Sequence, residues 1–174
     1  MPFLIQTIGI MGAIFAFIAY QQKAHKWIMV YKTCSALCFV LQFILMKAYT
    51  GLAMNVLGII IYLGSAYLIA KGKNVKPFVV LFSIACIVLG VCTWVGLASL
   101  LAIIGETVVA IACGCKNLKY VRYISIIGSS CWLAYDCIYF SLGGIITELF
   151  AIISIVIAIV RFYSNEKEKQ INHG

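Results

Sequence analysis

Between Lys76 and Cys92 the sequence reads PFVVLFSIACIVLGV, from Pro77 to Val91. The run is apolar but short, since a helix of about 15 residues rises only about 22 Å against the roughly 30 Å hydrocarbon core of a bilayer. Whether this run crosses a membrane determines on which side every later segment lies.

The chain around this run has the composition of a membrane protein. It is 64% hydrophobic and only 10% charged, whereas a soluble domain carries about 25% charged residues. The apolar residues form continuous runs and do not alternate with polar ones, which excludes a transmembrane barrel. The first run lacks a basic start and a small-residue cleavage site, so we interpret it as a mature span. Six apolar runs are clear: 3–20, 28–46, 52–70, 98–114, 121–141 and 145–163.

The basic residues decide whether Pro77 to Val91 spans the membrane. If it does, all of the 13 lysines and arginines except Lys47 fall on one side. If it does not, six fall on one side and seven on the other, which conflicts with the positive-inside rule. The sequence therefore predicts seven transmembrane helices, an outside N-terminus and a cytoplasmic C-terminus. The linker helix covers 77–92, and a polar tail follows over 164–174.

An internal repeat relates the two ends of the chain at an offset of 93 residues. The matched positions are Gly12 and Gly105, Lys23 and Lys116, Lys26 and Lys119, Cys38 and Cys131, Gly51 and Gly144, and Asn55 and Glu148. Repeat one covers 3–70 and repeat two covers 98–163. Three crossings reverse the direction of a segment, so the single linker helix gives both repeats the same orientation. The prediction is an all-α 3+1+3 fold with a pathway on the axis between the repeats.

Polar residues inside a transmembrane span cost free energy, so their presence indicates a function. The second repeat offers the carboxylates Glu106, Asp136 and Glu148, whereas the first offers the amides Gln42 and Asn55. An amide and a carboxylate that face each other can orient a polar solute, and a carboxylate in low dielectric can exchange a proton. A structural role, with Asp136 and Glu148 against headgroups or nearby rings, is the alternative.

We assign these residues to a candidate site as follows. Substrate-binding candidates are Asn55, Glu148, Gln42, Asp136 and Trp132, and Glu106 is a proton-coupling candidate. Trp132 stacks on a ring-shaped solute in this interpretation, and belongs to the interfacial aromatic belt in the alternative one.

The net charge of +8 does not indicate nucleic-acid binding, because the basic residues flank apolar runs and form no soluble face. The eight cysteines lie mostly inside spans, where they act as small apolar residues, and the pair Cys113 and Cys115 has no second Cys or His pair. We therefore expect no metal, no cofactor and no enzymatic activity. The lipid bilayer is the expected partner, and a homo-oligomer is left open.

Several motifs resemble a known family. They are CWLAYD from Cys131 to Asp136, SLGGIITE from Ser141 to Glu148, IVRF from Ile159 to Phe162, and CKNL from Cys115 to Leu118. These motifs look like the YgjV-type bacterial inner membrane proteins, and the resemblance spans the chain. That family is distantly similar to the SWEET, PQ-loop and PnuC transporters. The stretch from Asn55 to Gly58 resembles the Asn-x-x-Gly of the SWEET third helix, which implies that Asn55 contacts substrate.

The resemblance implies a location in the bacterial inner membrane and no assigned substrate. The leading hypothesis is a transporter or facilitator of a small polar solute, such as a sugar, nucleoside or vitamin, that works by alternating access. The main alternative is a non-transporting receptor or assembly factor on the same fold. A membrane enzyme ranks third, because the spans offer no clustered histidines and no nucleophile–base pair.

Overall fold

A computed structural model describes residues 2–22, 25–115 and 118–171. These residues form seven α-helices and no strand, as the sequence predicts. The helices are α1 (Pro2–Gln21), α2 (His25–Leu45), α3 (Tyr49–Ala70), α4 (Lys76–Cys92), α5 (Leu97–Gly114), α6 (Leu118–Tyr139) and α7 (Leu142–Ile171).

Several of the helices are apolar enough to cross a membrane. In the described residues, three have both the length and the composition of a membrane span: Tyr49–Leu68, Leu97–Gly114 and Leu142–Arg161. Shorter apolar helices cover Phe3–Ala19, Val30–Leu45 and Lys76–Cys92. The last of these is the doubtful run of the sequence, now a helix of 17 residues that begins with a proline in its first turn.

The segment 164–174, which the sequence predicts to be a polar tail, is helical over most of its length. Helix α7 has 30 residues and continues to Ile171, while residues 172–174 lie outside the described part. The sequence NEKEKQ that follows Ser164 is rich in residues with good helix propensity. Loss of hydropathy marks where a helix leaves the apolar core, and it does not mark where the helix ends.

Six of the described helices form a ring. Helix α1 packs against α2 and α7, α3 packs against α2 and α5, and α6 packs against α5 and α7. Helix α4 packs against α3 and α5 on the outside of this ring. The contacts between the halves come in a matched pair, since α1 against α7 corresponds to α5 against α3. This pairing is the one expected if the two halves are related by a two-fold axis.

The same 93-residue offset relates the turns of the two halves. Lys47 and Phe140 both have a positive φ, of 56° and 53°. In the α2–α3 turn, the Ala48 amide donates to the Phe43 carbonyl at 3.0 Å. In the α6–α7 turn, the Ser141 amide donates to the Asp136 backbone carbonyl at 2.9 Å, which is the equivalent hydrogen bond. The backbone of one turn therefore repeats in the other.

Glycine contacts follow the offset as well. A Cβ on Gly12 would lie 3.2 Å from Cβ of Cys38, and a Cβ on Gly105 would lie 3.4 Å from Cβ of Cys131. Each glycine lets the first helix of its half approach the second helix closely, as small residues commonly do in membrane proteins. The glycine and cysteine matches seen in the sequence are thus one contact that occurs twice.

Candidate functional site

A cavity of about 400 Å³ lies inside the ring. Helices α2, α3, α5, α6 and α7 all contribute side chains to its wall. The lining residues used below are Lys32, Phe39, Phe43, Asn55, Gly58, Tyr62, Glu106, Ser125, Ser129, Trp132, Asp136, Gly144, Glu148, Ala151 and Ile155. The volume is in the range of pockets that hold small molecules.

The cavity lies between equivalent parts of the two halves. Many of its lining residues form pairs that are 93 positions apart: Lys32 and Ser125, Phe39 and Trp132, Phe43 and Asp136, Asn55 and Glu148, Gly58 and Ala151, and Tyr62 and Ile155. Residues related by a two-fold axis can share one cavity only if that axis passes through it. The pairing places the cavity between the two halves, where an axis relating them would run.

The three carboxylates predicted from the sequence all line this cavity. Glu106 and Asp136 are buried, with 5% and 3% of their surface exposed. Glu148 is half-buried and close enough to both to interact with them electrostatically. Within the described parts of the chain, Glu106 Oε1 and Asp136 Oδ1 have no hydrogen-bond partner. Buried polar atoms of this kind usually have a partner, so these two atoms lack an interaction that a buried oxygen normally makes.

Two glycines make room for these carboxylates. A Cβ on Gly58 of α3 would lie 2.8 Å from Glu106 Oε1. A Cβ on Gly144 of α7 would overlap the carboxyl group of Asp136. Each acidic side chain therefore packs directly against the backbone of a neighbouring helix, in space that any larger residue would fill.

Asn55 and Trp132, two further substrate-binding candidates, also line the cavity. Asn55 is anchored on its own helix, because its Nδ2 donates to the Gly51 carbonyl oxygen at 3.1 Å. Trp132 lies beside Glu106 and stacks on Phe43 with ring centroids 6.4 Å apart. Both side chains are positioned by the protein itself and are not simply headgroup contacts.

Gln42 does not line the cavity, although the sequence analysis counted it among the substrate-binding candidates. It is completely buried, and its Oε1 accepts a hydrogen bond from Ser141 Oγ at 3.1 Å. Its amide group also fills the space over Gly9, where a Cβ would lie 2.6 Å from the Gln42 Cδ. The amide oxygen of Gln42 is thus used between helices, whereas its Nε2 has no hydrogen-bond partner among the described residues.

Gln42 belongs to a set of contacts that closes one end of the ring, the end that carries the α2–α3 and α6–α7 turns. Gln6 Nε2 donates to the Phe140 carbonyl at 2.6 Å, and Gln6 Oε1 accepts from the Leu142 amide at 3.0 Å. Tyr135 Oη accepts from the Gly51 amide at 2.9 Å. We call this the closed end. These bonds join the first half to the second.

The opposite end of the cavity contains a residue that the sequence analysis did not single out. Lys32 lines the cavity and places its Nζ 5.3 Å from the ring centre of Tyr62. In the sequence, Lys32 is one of the basic residues that predict how the protein is oriented in the membrane. The feature of the sequence that could have indicated this role is the position of Lys32, which lies two turns inside α2 and not at the helix end.

Comparison with known proteins gives the family. No curated protein and no solved structure matches the chain significantly. The family model Imp-YgjV, described as bacterial inner membrane protein, matches residues 3–166 and hence nearly the whole chain. The motifs from Cys131 to Asp136 and from Ser141 to Glu148 fall inside that match and supply two of the cavity carboxylates. The chain therefore belongs to the Imp-YgjV family of bacterial inner membrane proteins.

Proposed function

We propose that this protein transports a small polar solute across the bacterial inner membrane by alternating access between its two three-helix halves. The observation that carries the proposal is the polar cavity on the axis between the halves, lined by equivalent residues of both. A fully packed axis would instead favour the alternative of a receptor or assembly factor. The proposal includes no chemical reaction and needs no cofactor.

The contacts at the two ends of the cavity support this mechanism. The halves are joined at the closed end by a small set of hydrogen bonds, among them Gln42 with Ser141 and Gly51 with Tyr135. Lys32 and Cys113 line the wall at the other end, near the start of α2 and the end of α5. Rocking of one half against the other exchanges which end is closed, a motion expected of parallel repeats.

The orientation belongs to the same proposal. With the C-terminus in the cytoplasm, as the distribution of lysine and arginine favours, the closed end faces outward and the Lys32 end faces the cytoplasm. The described conformation is then inward-facing. In the SWEET-like arrangement that the sequence suggested, Asn55 and Glu148 form the pocket and Glu106 is the coupling carboxylate.

Uptake by reconstituted protein tests the proposal. A thermal-shift screen of the purified protein against sugars, nucleosides, vitamins and amines selects a solute, and liposomes measure its flux. We expect Asn55→Ala and Glu148→Gln each to lower uptake by roughly tenfold or more, as loss of a binding contact to a polar group does. Asn74→Ala and Glu166→Gln are matched controls, since Asn74 does not line the cavity and Glu166 belongs to the polar segment that follows residue 163 in the sequence.

Unchanged uptake in both cavity variants would remove these residues from the pathway. A protein that binds a solute but gives no flux in liposomes would favour the receptor alternative.

A further inference from the structure

The charges of the cavity are distributed unevenly between the two halves. All five acidic residues of the chain lie after residue 100, and three of them line the cavity. Glu106, Asp136 and Glu148 thus form an acidic wall on α5, α6 and α7. The first half contributes the amide of Asn55 and one cation, Lys32, to the same cavity.

The acidic wall and Lys32 lie at different levels of the bundle. Asp136 is one turn from the end of α6 at the closed end, and Glu148 is about two turns from the start of α7 at that same end. Lys32 is two turns from the start of α2, at the opposite end, and its Nζ lies over the Tyr62 ring. The deep part of the cavity is therefore acidic, and its positive charge lies toward the other end.

Two carboxylate oxygens of the acidic wall lack a hydrogen-bond partner. Glu106 Oε1 and Asp136 Oδ1 are buried and have no hydrogen-bond partner among the described residues. A buried carboxylate is costly unless a cation or hydrogen-bond donors accompany it. A ligand that carries a positive charge and N–H or O–H donors would satisfy both atoms.

Aromatic rings complete the deep part. Trp132 stacks on Phe43, and both line the cavity beside Glu106 and Asp136. The faces of aromatic rings attract ammonium groups, and most strongly in sites removed from water. Carboxylates and aromatic rings together are the combination that recognises organic cations.

From this arrangement we infer that the solute of this protein is a small organic cation, whose ammonium group lies against the wall formed by Glu106, Asp136 and Glu148. The inference rests on the proposed function and deepens it, because it names the class of solute. It excludes sugars and other neutral polar solutes as the preferred ligand, since these leave the carboxylates without a counter-charge.

Calorimetric binding to the purified protein in uncharged maltoside detergent tests the inference with matched pairs of probes. Choline is compared with its neutral isostere 3,3-dimethylbutan-1-ol, and ethanolammonium with ethylene glycol. In at least one pair we expect the cation to bind roughly 30-fold or more tightly than its neutral counterpart, which is the typical effect of one buried charge pair.

The variants locate the effect. Glu148→Gln should lower cation affinity by a similar factor while leaving the weak binding of the neutral probe unchanged. Glu166→Gln makes the same chemical change in the polar segment that follows residue 163 in the sequence, and this variant should bind like the unmodified protein. If Glu148→Gln fails to fold, Asp136→Asn makes the same measurement at the second position.

The outcomes separate this inference from the proposed function. Equal affinity within both pairs, or no cation binding up to about 10 mM, which corresponds to a binding free energy of about −2.7 kcal/mol, would overturn the organic-cation inference. Flux of a neutral solute in liposomes would then still support transport. Conversely, cation binding without flux in liposomes would leave the inference standing and contradict transport.

Discussion

The two halves of the molecule have similar backbone conformations at equivalent turns but differ in the polarity of their side chains. The α2–α3 and α6–α7 turns repeat each other down to the positive φ of Lys47 and Phe140. The side chains on this common backbone diverge, so that Phe43 corresponds to Asp136 and Asn55 to Glu148. The comparison indicates that the equivalent backbones of the two halves form the cavity, while the differing side chains place its acidic residues on one side. Substitutions at equivalent positions can separate these two contributions.

The largest difference is expected where α1 meets α7. Gly143 lies so close to Gly9 that a Cβ would overlap its backbone, so Gly143→Ala should destabilise the protein by about 3 kcal/mol. The equivalent residue of the first half, Thr50, already carries a side chain and bonds Ser99 Oγ at 2.8 Å. Thr50→Ala should therefore cost only about 1 kcal/mol. Thermal unfolding in detergent measures both, and equal losses would contradict the close α1–α7 approach.

A smaller difference is expected between two of the hydrogen bonds that join the halves at the closed end. Tyr135→Phe leaves the buried Gly51 amide without its acceptor and should cost about 1.5 kcal/mol. The equivalent position, Gln42, accepts from the Ser141 hydroxyl, which can rotate toward another acceptor. Gln42→Met should therefore cost less, about 1 kcal/mol. A larger loss in Gln42→Met would mean that Gln42, and not Tyr135, is the main link between the halves.

The smallest effect is expected at the two turns, where the halves should respond alike. Lys47 and Phe140 adopt a left-handed conformation that glycine accepts without strain. Lys47→Gly and Phe140→Gly should each stabilise the protein by about 0.5 kcal/mol, after the entropy lost by glycine is subtracted. Melting temperatures measure the gain, and Lys47→Ala, which keeps a Cβ, should show none. Opposite signs at the two turns would contradict their equivalence.

Much of this architecture is predictable from the sequence because a bilayer imposes simple rules on it. Apolar run length and the positions of the lysines predict seven helices, and α4 spans Lys76–Cys92 where the sequence expects 77–92. The offset of 93 residues is also visible in the sequence, since Gly12 and Cys38 form a contact that Gly105 and Cys131 repeat. The three carboxylates line one cavity because an ionisable group in a span is costly anywhere else.

The roles of Gln42 and Lys32 were not predictable in the same way. An amide in a span satisfies its hydrogen bonds equally well with a solute or with a neighbouring helix, and only the position of Ser141 decides between the two. A lysine near a helix end serves orientation or lines a cavity depending on which way its long side chain turns. Lys32 turns toward the Tyr62 ring, a contact between two helices that sequence spacing does not reveal.

Helix α4 has a consequence for the chemistry of the cavity, although it lies outside the ring. A symmetric dimer of identical three-helix chains would repeat each acidic residue, so that three carboxylates would become six in one small volume. By fusing the halves into one polypeptide, α4 lets each half mutate independently of the other. The covalent link is thus what permits a cavity with acidic residues on one wall only, an asymmetry that identical subunits could never produce.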